Sequence, residues 1–136
     1  MTNQTTAPAT AIVTKSSPWS VADTIARIEG VLASKGIKLF AVIDHSGEAR
    51  AAGLELRETR VVIFGSPAAG TAVMEEVPLA ALDLPLKVLV WADGDQTRVS
   101  YAPPATLAAR YGLRADLAGR LAGIEVVVEA ALTRDR

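Results

Sequence analysis

The chain has 136 residues, half of them hydrophobic and 21% charged, which is typical of a globular chain of single-domain size and excludes an intrinsically disordered one. Its formal net charge is −1, no run of Lys or Arg occurs, and only six aromatic residues (two each of Phe, Trp and Tyr) are present, so we expect no nucleic-acid partner. The absence of cysteine and the presence of a single histidine, His45, exclude disulfides, iron–sulfur clusters and multi-histidine sites within one chain, and we expect no metal and no cofactor.

The first ten residues are polar and offer little to bury, so they predict a disordered tail over residues 1–10, followed by one α+β domain over residues 11–134. The tail does not have the charged and then apolar pattern of a secretory signal. No apolar run reaches the roughly 20 residues that a helix needs to cross a bilayer. We therefore expect no membrane partner and a cytoplasmic location.

The first elements are a short strand over residues 11–16 and a helix over residues 20–35. Ser20 is a good N-cap with Asp23 in the capping-box position, and Gly36 ends the helical pattern.

Residues 37–43 (IKLFAVI) predict a strand that is apolar on both faces and is therefore central or covered on both sides. Ser46 can cap a short helix over residues 47–52, and residues 59–64 predict the next strand.

Ser66 as N-cap and Pro67 as first helical residue predict a helix that runs to about Glu76. The connector between Pro78 and Pro85 has room for one helical turn. A hairpin follows, with strands over residues 86–92 and 96–101 and a tight Asp-Gly turn between them. Two helices complete the chain, one from Pro104 to Gly112 and the last over residues 114–132.

This order of elements predicts an α+β, two-layer fold, with a mainly antiparallel sheet of about five strands and the long helices packed on one face. The first strand, helix and second strand are compatible with a parallel crossover. The last helix carries apolar residues on more than one face, and in so small a domain this pattern favours a homodimer.

Several segments of the chain resemble the bacterial and archaeal family known as domain of unknown function 302. The most specific segment is Phe64-Gly65-Ser66-Pro67-Ala68-Ala69-Gly70-Thr71 followed by Met74, and Asp44-His45, Leu82–Leu86, Trp91 and Tyr101 add to it. The resemblance covers residues 11–132. It implies a small two-layer α+β fold that usually pairs as dimers and has no assigned activity. The family usually carries Asn at the position of Ser66.

The turn from Gly65 to Thr71 is the best candidate for a ligand site. A strand ends there and a helix begins at Pro67, so free N–H groups and the helix dipole favour an anion or a carboxylate. Gly70 leaves room for a ligand, Ser66 and Thr71 add hydroxyls, and the lysine and spacing of a phosphate-binding P-loop are absent. The alternative is a purely structural turn.

His45 follows the end of a strand and precedes a helix, a common place for active-site residues, although it can equally satisfy a backbone group at the helix start. A pair of His45 and Met74 is in principle able to ligate haem iron or copper, but core filling is the favoured role of Met74. Trp91 and Tyr101 offer an apolar body with a polar tip, and either line a cavity or cap the core.

These observations predict a homodimeric domain that binds a small anionic or polar molecule near His45 and the turn from Gly65 to Thr71, with Trp91 and Tyr101 in the same site. Two alternatives remain open. The first is a small enzyme that uses His45 as general acid or base. The second is an interaction module without a ligand, whose apolar last helix meets a partner.

Overall fold

Five strands form one antiparallel sheet in the order β1-β5-β4-β3-β2 in the computed structural model, which describes residues 9–134. The predicted α+β fold is thereby confirmed, and residues 1–8 of the predicted tail lie outside the described residues. The strands are β1 (Val13–Ser17), β2 (Lys38–Asp44), β3 (Thr59–Gly65), β4 (Leu86–Asp93) and β5 (Gln96–Tyr101). The helices are α1 (Val21–Lys35), α2 (His45–Ala51), α3 (Pro67–Glu76), a 3₁₀ helix (Pro78–Asp83), α4 (Pro104–Tyr111), α5 (Ala115–Gly119) and α6 (Gly123–Leu132).

The strands β3, β4 and β5 form a meander, whereas β1 and β2 occupy the two outer edges of the sheet. All neighbouring strands are antiparallel, so β1 and β2 run in the same direction without being neighbours. The two strands of the predicted parallel crossover therefore run in the same direction, but they do not pair with each other. The helix α1 of this crossover packs on β2, β3 and β4 and against α6.

Local sequence signals set the ends of the two best-predicted helices. The Ser20 hydroxyl accepts a hydrogen bond from the Asp23 N–H at 3.1 Å, and Gly36 ends α1 with a φ of 67°, which favours glycine. The helix α3 has the bounds expected from its Ser66 cap and its first residue Pro67.

The core lies between the sheet and the helices. Alternate side chains of the three central strands face this layer because successive side chains of a strand point to opposite faces. Fully buried members from strands and helices are Ile28, Leu32, Val62, Phe64, Val88, Val90, Val99, Ile124, Val127 and Val128.

The prediction that the second strand is central or covered on both sides is wrong. The strand β2 is an outer edge strand, and its large apolar side chains are 37–44% exposed: Leu39, Phe40, Val42 and Ile43. A continuous apolar run is compatible with a buried strand, but sequence periodicity alone does not reveal whether a neighbour covers it. A β-bulge between Leu39 and Ala41 also interrupts its pairing with β3.

Two helix predictions need correction as well. Asp44, not Ser46, caps α2, because the Asp44 carboxylate accepts the Gly47 N–H at 2.9 Å. The predicted last helix is divided into α5 and α6 by a turn. The large apolar side chains of α6 pack in the core, except that of Val126, which is exposed. The last helix therefore offers little apolar surface for a partner.

Candidate functional site

A cavity of about 290 Å³ lies on the helix side of the sheet, where β3 ends and α3 begins. One wall is the turn from Gly65 to Thr71 together with Met74, and the opposite wall is formed by residues 84–86 and by Arg120 and Leu121. Phe40, at the bulge of the edge strand, closes a third side. The lining is mostly apolar, so the cavity suits a ligand with an apolar body.

The cavity exists because three chain turns meet at one end of the sheet. Gly65 is the last residue of β3, pairs with Lys38 of β2, and faces Pro85, which follows a cis peptide bond. Ser66 then caps α3 through a bond of 3.3 Å from the Ala69 N–H to its hydroxyl. Small residues on the first turn of α3 leave the space that the cavity occupies.

The start of α3 has fewer free backbone N–H donors than the sequence predicts. Pro67 has no N–H, the Ala69 N–H is bonded to the Ser66 hydroxyl, and the Gly70 N–H is bonded to the Ser66 carbonyl at 2.9 Å. The Ala68 N–H is left, and Ala68 is not part of the cavity wall. The helix start therefore contributes its dipole but few free donors.

Arg120 supplies the positive charge that the turn lacks. It forms the C-terminal cap of α5 and lines the cavity, and its guanidinium makes no hydrogen bond or ion pair with another residue between 9 and 134. A guanidinium at the rim of an apolar cavity offers planar donors to a carboxylate. The sequence does not predict a role for Arg120, because a single arginine between two helices has no distinguishing pattern.

Gly70 is present for space and not for backbone geometry. Neither Gly65 nor Gly70 has a positive φ. A Cβ atom added at Gly70 would stand 3.7 Å from the Met74 methyl carbon, an ordinary contact, so a side chain there would extend into the cavity without straining the chain. Backbone geometry therefore does not explain why a glycine stands at position 70.

His45 lies far from the cavity within the same chain. Lys38 pairs with Gly65 and Asp44 pairs with Arg60, so His45 follows the opposite end of β2. Over the length of β2 this separation amounts to roughly 20 Å. The expectation that His45 and the turn at Gly65 share one site is therefore wrong for a single chain, and His45 and Met74 are not brought together.

The residues around His45 serve the local fold. The Asp44 carboxylate accepts the Ser46 hydroxyl at 2.6 Å, and this bond, followed by the Gly47 N–H, lowers the pKa of Asp44 despite a small opposing effect of burial. Arg60 lies 3.8 Å from the same carboxylate. Asp44 thus holds α2 in place and is already occupied by partners other than the imidazole.

Trp91 and Tyr101 do not line the cavity. Trp91 lies on the open face of the sheet, where its indole N–H donates to the Ser100 hydroxyl at 2.9 Å. Tyr101 is buried on the helix side beside β1, and burial raises its pKa. Of the predicted site residues, the cavity wall therefore includes Gly65, Ser66, Gly70 and Thr71, and it also includes Met74.

A polar cluster behind the cavity was not predicted. The Asp83 carboxylate accepts the Tyr111 hydroxyl in a short hydrogen bond and Arg110 at 2.7 Å, while Arg110 also donates to the Ala9 carbonyl at 2.7 Å. The bond from Tyr111 is the main cause that lowers the pKa of Asp83, and the same bond raises the pKa of Tyr111. The cluster joins the 3₁₀ helix, α4 and the start of the described chain.

Comparison with known proteins confirms the resemblance. The family model described as "Domain of unknown function DUF302" matches residues 13–131. A solved DUF302 protein from Bacillus stearothermophilus, described as uncharacterized, superposes with a TM-score of 0.75 over 89% of this chain and 94% of its own. At 21% identity that likeness shows the fold alone.

Curated relatives from Brucella carry a functional name. The "Fluoride-specific ion channel FluC 1" of Brucella suis is 40% identical over 110 residues, which cover 79% of this chain and 43% of the relative. "FluC 2" of Brucella melitensis matches at the same identity and length, over 41% of its own chain. The chain thus spans about two fifths of the length of the curated relatives it matches. Within residues 9–134, the helices are all too short or too polar to span a bilayer.

Proposed function

This chain belongs to the DUF302 family, whose name assigns no activity, and from that premise we propose that it binds a small amphipathic anion, with the apolar body in the cavity and the anionic group at Arg120. The single observation that carries the proposal is an apolar cavity whose rim carries a guanidinium without a partner in the described part of the chain. Its volume of about 290 Å³ is at the lower end of the range of about 300–1,000 Å³ that small-molecule sites occupy.

The charge and the lining together favour a carboxylate over a phosphate. A phosphate needs several converging donors, whereas the first turn of α3 has most of its N–H groups engaged. One guanidinium can hold a carboxylate in a bidentate manner, and Phe40 and Met74 give the rest of the molecule an apolar surface. A medium-chain or aryl carboxylate has this combination of properties.

Calorimetric titration with octanoate, benzoate and inorganic phosphate tests this proposal. We expect octanoate to bind, Arg120→Gln to weaken the affinity about tenfold through loss of one charge-assisted pair, and Gly70→Val to abolish binding by filling the cavity. Arg57→Gln, an exposed arginine on another loop, and Gly30→Val, an exposed helical glycine with open space around it, are the matched controls. Equal affinity of the Gly70→Val variant and the parent protein would contradict the proposal.

A second candidate is an accessory role beside fluoride channels, which the 40% identity to the Brucella proteins favours. Because this chain matches only about two fifths of those proteins, we infer that the shared segment is an accessory unit distinct from the part that conducts the ion. Fluoride efflux from cells that express the Brucella channel without this segment measures the effect. Loss of efflux without the segment, and its restoration when this chain is supplied separately, support the role. Efflux that stays the same when the segment is removed contradicts it.

A homodimer and a cytoplasmic location remain part of the proposed function. The apolar edge strand β2 supports the homodimer, whereas most apolar side chains of the last helix are buried in the core. A chain without cysteine needs no oxidising compartment to fold, which supports the cytoplasm. A fractionation experiment with an epitope-tagged chain checks the location.

A further inference from the structure

The edge strand β2 has a backbone edge, apolar side chains and end charges that suit pairing with a copy of itself. Its outer backbone groups face no other strand formed by residues 9–134, and its four large apolar side chains are exposed on both faces. Its sequence, KLFAVID, begins with a positive charge at Lys38 and ends with a negative charge at Asp44. Antiparallel self-pairing about Ala41 and Val42 brings Lys38 of each copy towards the partner's Asp44, so the pairing is charge-complementary as well as apolar.

We propose that β2 pairs antiparallel with β2 of a second copy, and that this pairing brings the partner's His45 to the ligand cavity. Gly65 pairs with Lys38, so the cavity lies at the end where β2 begins. In an antiparallel pair, the end of the partner strand lies beside that beginning. The partner's His45 follows the partner's Asp44 directly and therefore lies beside Lys38, at the end of β2 that adjoins the cavity.

Each ligand site is then built from two chains. Phe40 closes one side of the cavity yet is 44% exposed, and the paired strand covers that exposed side. The ring N–H of the partner's His45 adds a donor for the anionic group held by Arg120. The distance of roughly 20 Å that separates His45 from Gly65 within one chain thus becomes a strand-to-strand distance of about 10 Å between chains. The site half of this proposal depends on the proposed function, whereas the pairing half does not.

Thiol cross-linking tests the pairing without any ligand, because the natural chain has no cysteine. Lys38→Cys and His45→Cys variants, mixed and treated with a short bis-maleimide, are expected to give cross-linked dimers, while each variant alone gives few. Ala41→Cys is expected to cross-link alone, and Val126→Cys, exposed on α6, is the control that does not. Self-linking of Lys38→Cys, or failure of the mixture to link, would overturn the antiparallel arrangement.

Light scattering gives an independent measurement of the same interface. Val42→Glu places a charge in the middle of the exposed strand and is expected to yield a monomer of half the parent mass, with an unchanged circular-dichroism spectrum. Val126→Glu places the same charge on α6 and is expected to stay dimeric. A dimeric Val42→Glu protein, or a monomeric parent, would overturn the pairing.

Mixed dimers test whether His45 acts across the interface. We expect His45→Ala to bind octanoate about tenfold more weakly and Gly70→Val not to bind it. After subunit exchange in a 1:1 mixture, about a quarter of the sites combine an intact cavity with an intact partner histidine, and tight binding returns to that fraction. No recovery would place His45 outside the site. If the parent does not bind octanoate, the proposed ligand is wrong, while the cross-linking result still decides the pairing.

Discussion

The two edge strands of the sheet, β1 and β2, differ in the chemistry of their side chains. At the β1 edge, side chains bond to one another across the open face: Thr14 to Ser100 at 2.9 Å, and Arg98 to Asp93 at 3.1 Å. The strand is short, and Lys15 reaches Glu129 of α6. At the β2 edge, the exposed side chains are apolar and no comparable network exists among residues 38–43.

This difference teaches which edge is closed and which is open to a partner. Natural proteins protect sheet edges with short strands and with charged or hydrogen-bonded side chains, and β1 follows that pattern. The strand β2 is seven residues long and, apart from Lys38 and the bulge between Leu39 and Ala41, departs from the pattern. The cavity adjoins this edge, so the proposed ligand and the proposed partner meet at the same end of the molecule.

The largest contrast is expected between the only two phenylalanines of the chain. Phe64 is 1% exposed in β3, and Phe64→Ala should lower the free energy of unfolding by about 3–5 kcal/mol, because it leaves a cavity in the core. Phe40→Ala should cost less than about 1 kcal/mol in the monomer, yet weaken octanoate binding. Urea denaturation under conditions that dissociate the dimer measures the stability of both variants, and calorimetric titration measures octanoate binding. Similar losses for the two variants would contradict the open character of the β2 edge.

Much of the fold follows from local sequence signals. The caps at Ser20 and Ser66 and the Asp-Gly turn act within a few residues, so they set element ends before any tertiary contact forms. The position of β2 at an edge depends on long-range pairing, which an apolar run such as KLFAVI does not encode.

The candidate site was predictable only in part. The turn from Gly65 to Thr71 is contiguous in sequence and was found, whereas Phe40 and Arg120 are brought to it from distant elements. His45 was misplaced because proximity to a strand end does not indicate which end of the sheet it occupies. The proposed two-chain site cannot be predicted from the sequence of one chain, because it depends on contacts between copies.

A second test concerns the hydroxyl network of the β1 edge. Ser100→Ala removes the acceptor of the Trp91 indole N–H and the partner of the Thr14 hydroxyl, so we expect a loss of about 1–2 kcal/mol. Thermal unfolding measures the change, and Trp fluorescence reports the altered environment of the indole. Ser34→Ala, which removes an exposed hydroxyl on α1, is the control. An unchanged melting temperature for Ser100→Ala would show that the network is not stabilising.

A smaller, pH-dependent effect is expected behind the cavity. The Tyr111 hydroxyl lowers the pKa of Asp83 in the folded protein, so this carboxylate stabilises the fold above its unfolded pKa of about 3.9, and the contribution is lost as the pH falls through the lower folded value. Asp83→Asn should cost about 1 kcal/mol at pH 7 and little at pH 2. Urea denaturation at both pH values measures it, with Asp95→Asn, in the exposed hairpin turn, as the control. An equal loss at both pH values would assign the effect to packing.

The smallest effect is expected at the ion pair of the β1 edge. Lys15 and Glu129 are 3.3 Å apart and their side chains are 38% and 67% exposed, so Glu129→Gln should change stability by less than about 0.5 kcal/mol. Chemical denaturation at low and high salt measures the difference, which salt should reduce further. A loss above 1 kcal/mol would mean that this ion pair contributes as much to the stability of the β1 edge as the hydroxyl network does.

The path of α1 across the sheet has a consequence for folding kinetics. The strands it joins are consecutive in sequence but lie at opposite edges: β2 pairs with β3, the next strand of the chain, whereas β1 pairs with β5, the last strand. The pair of β1 and β5 therefore forms only after most of the chain has been synthesised. Because closing long loops slows folding, the docking of β1 should be the late step in refolding.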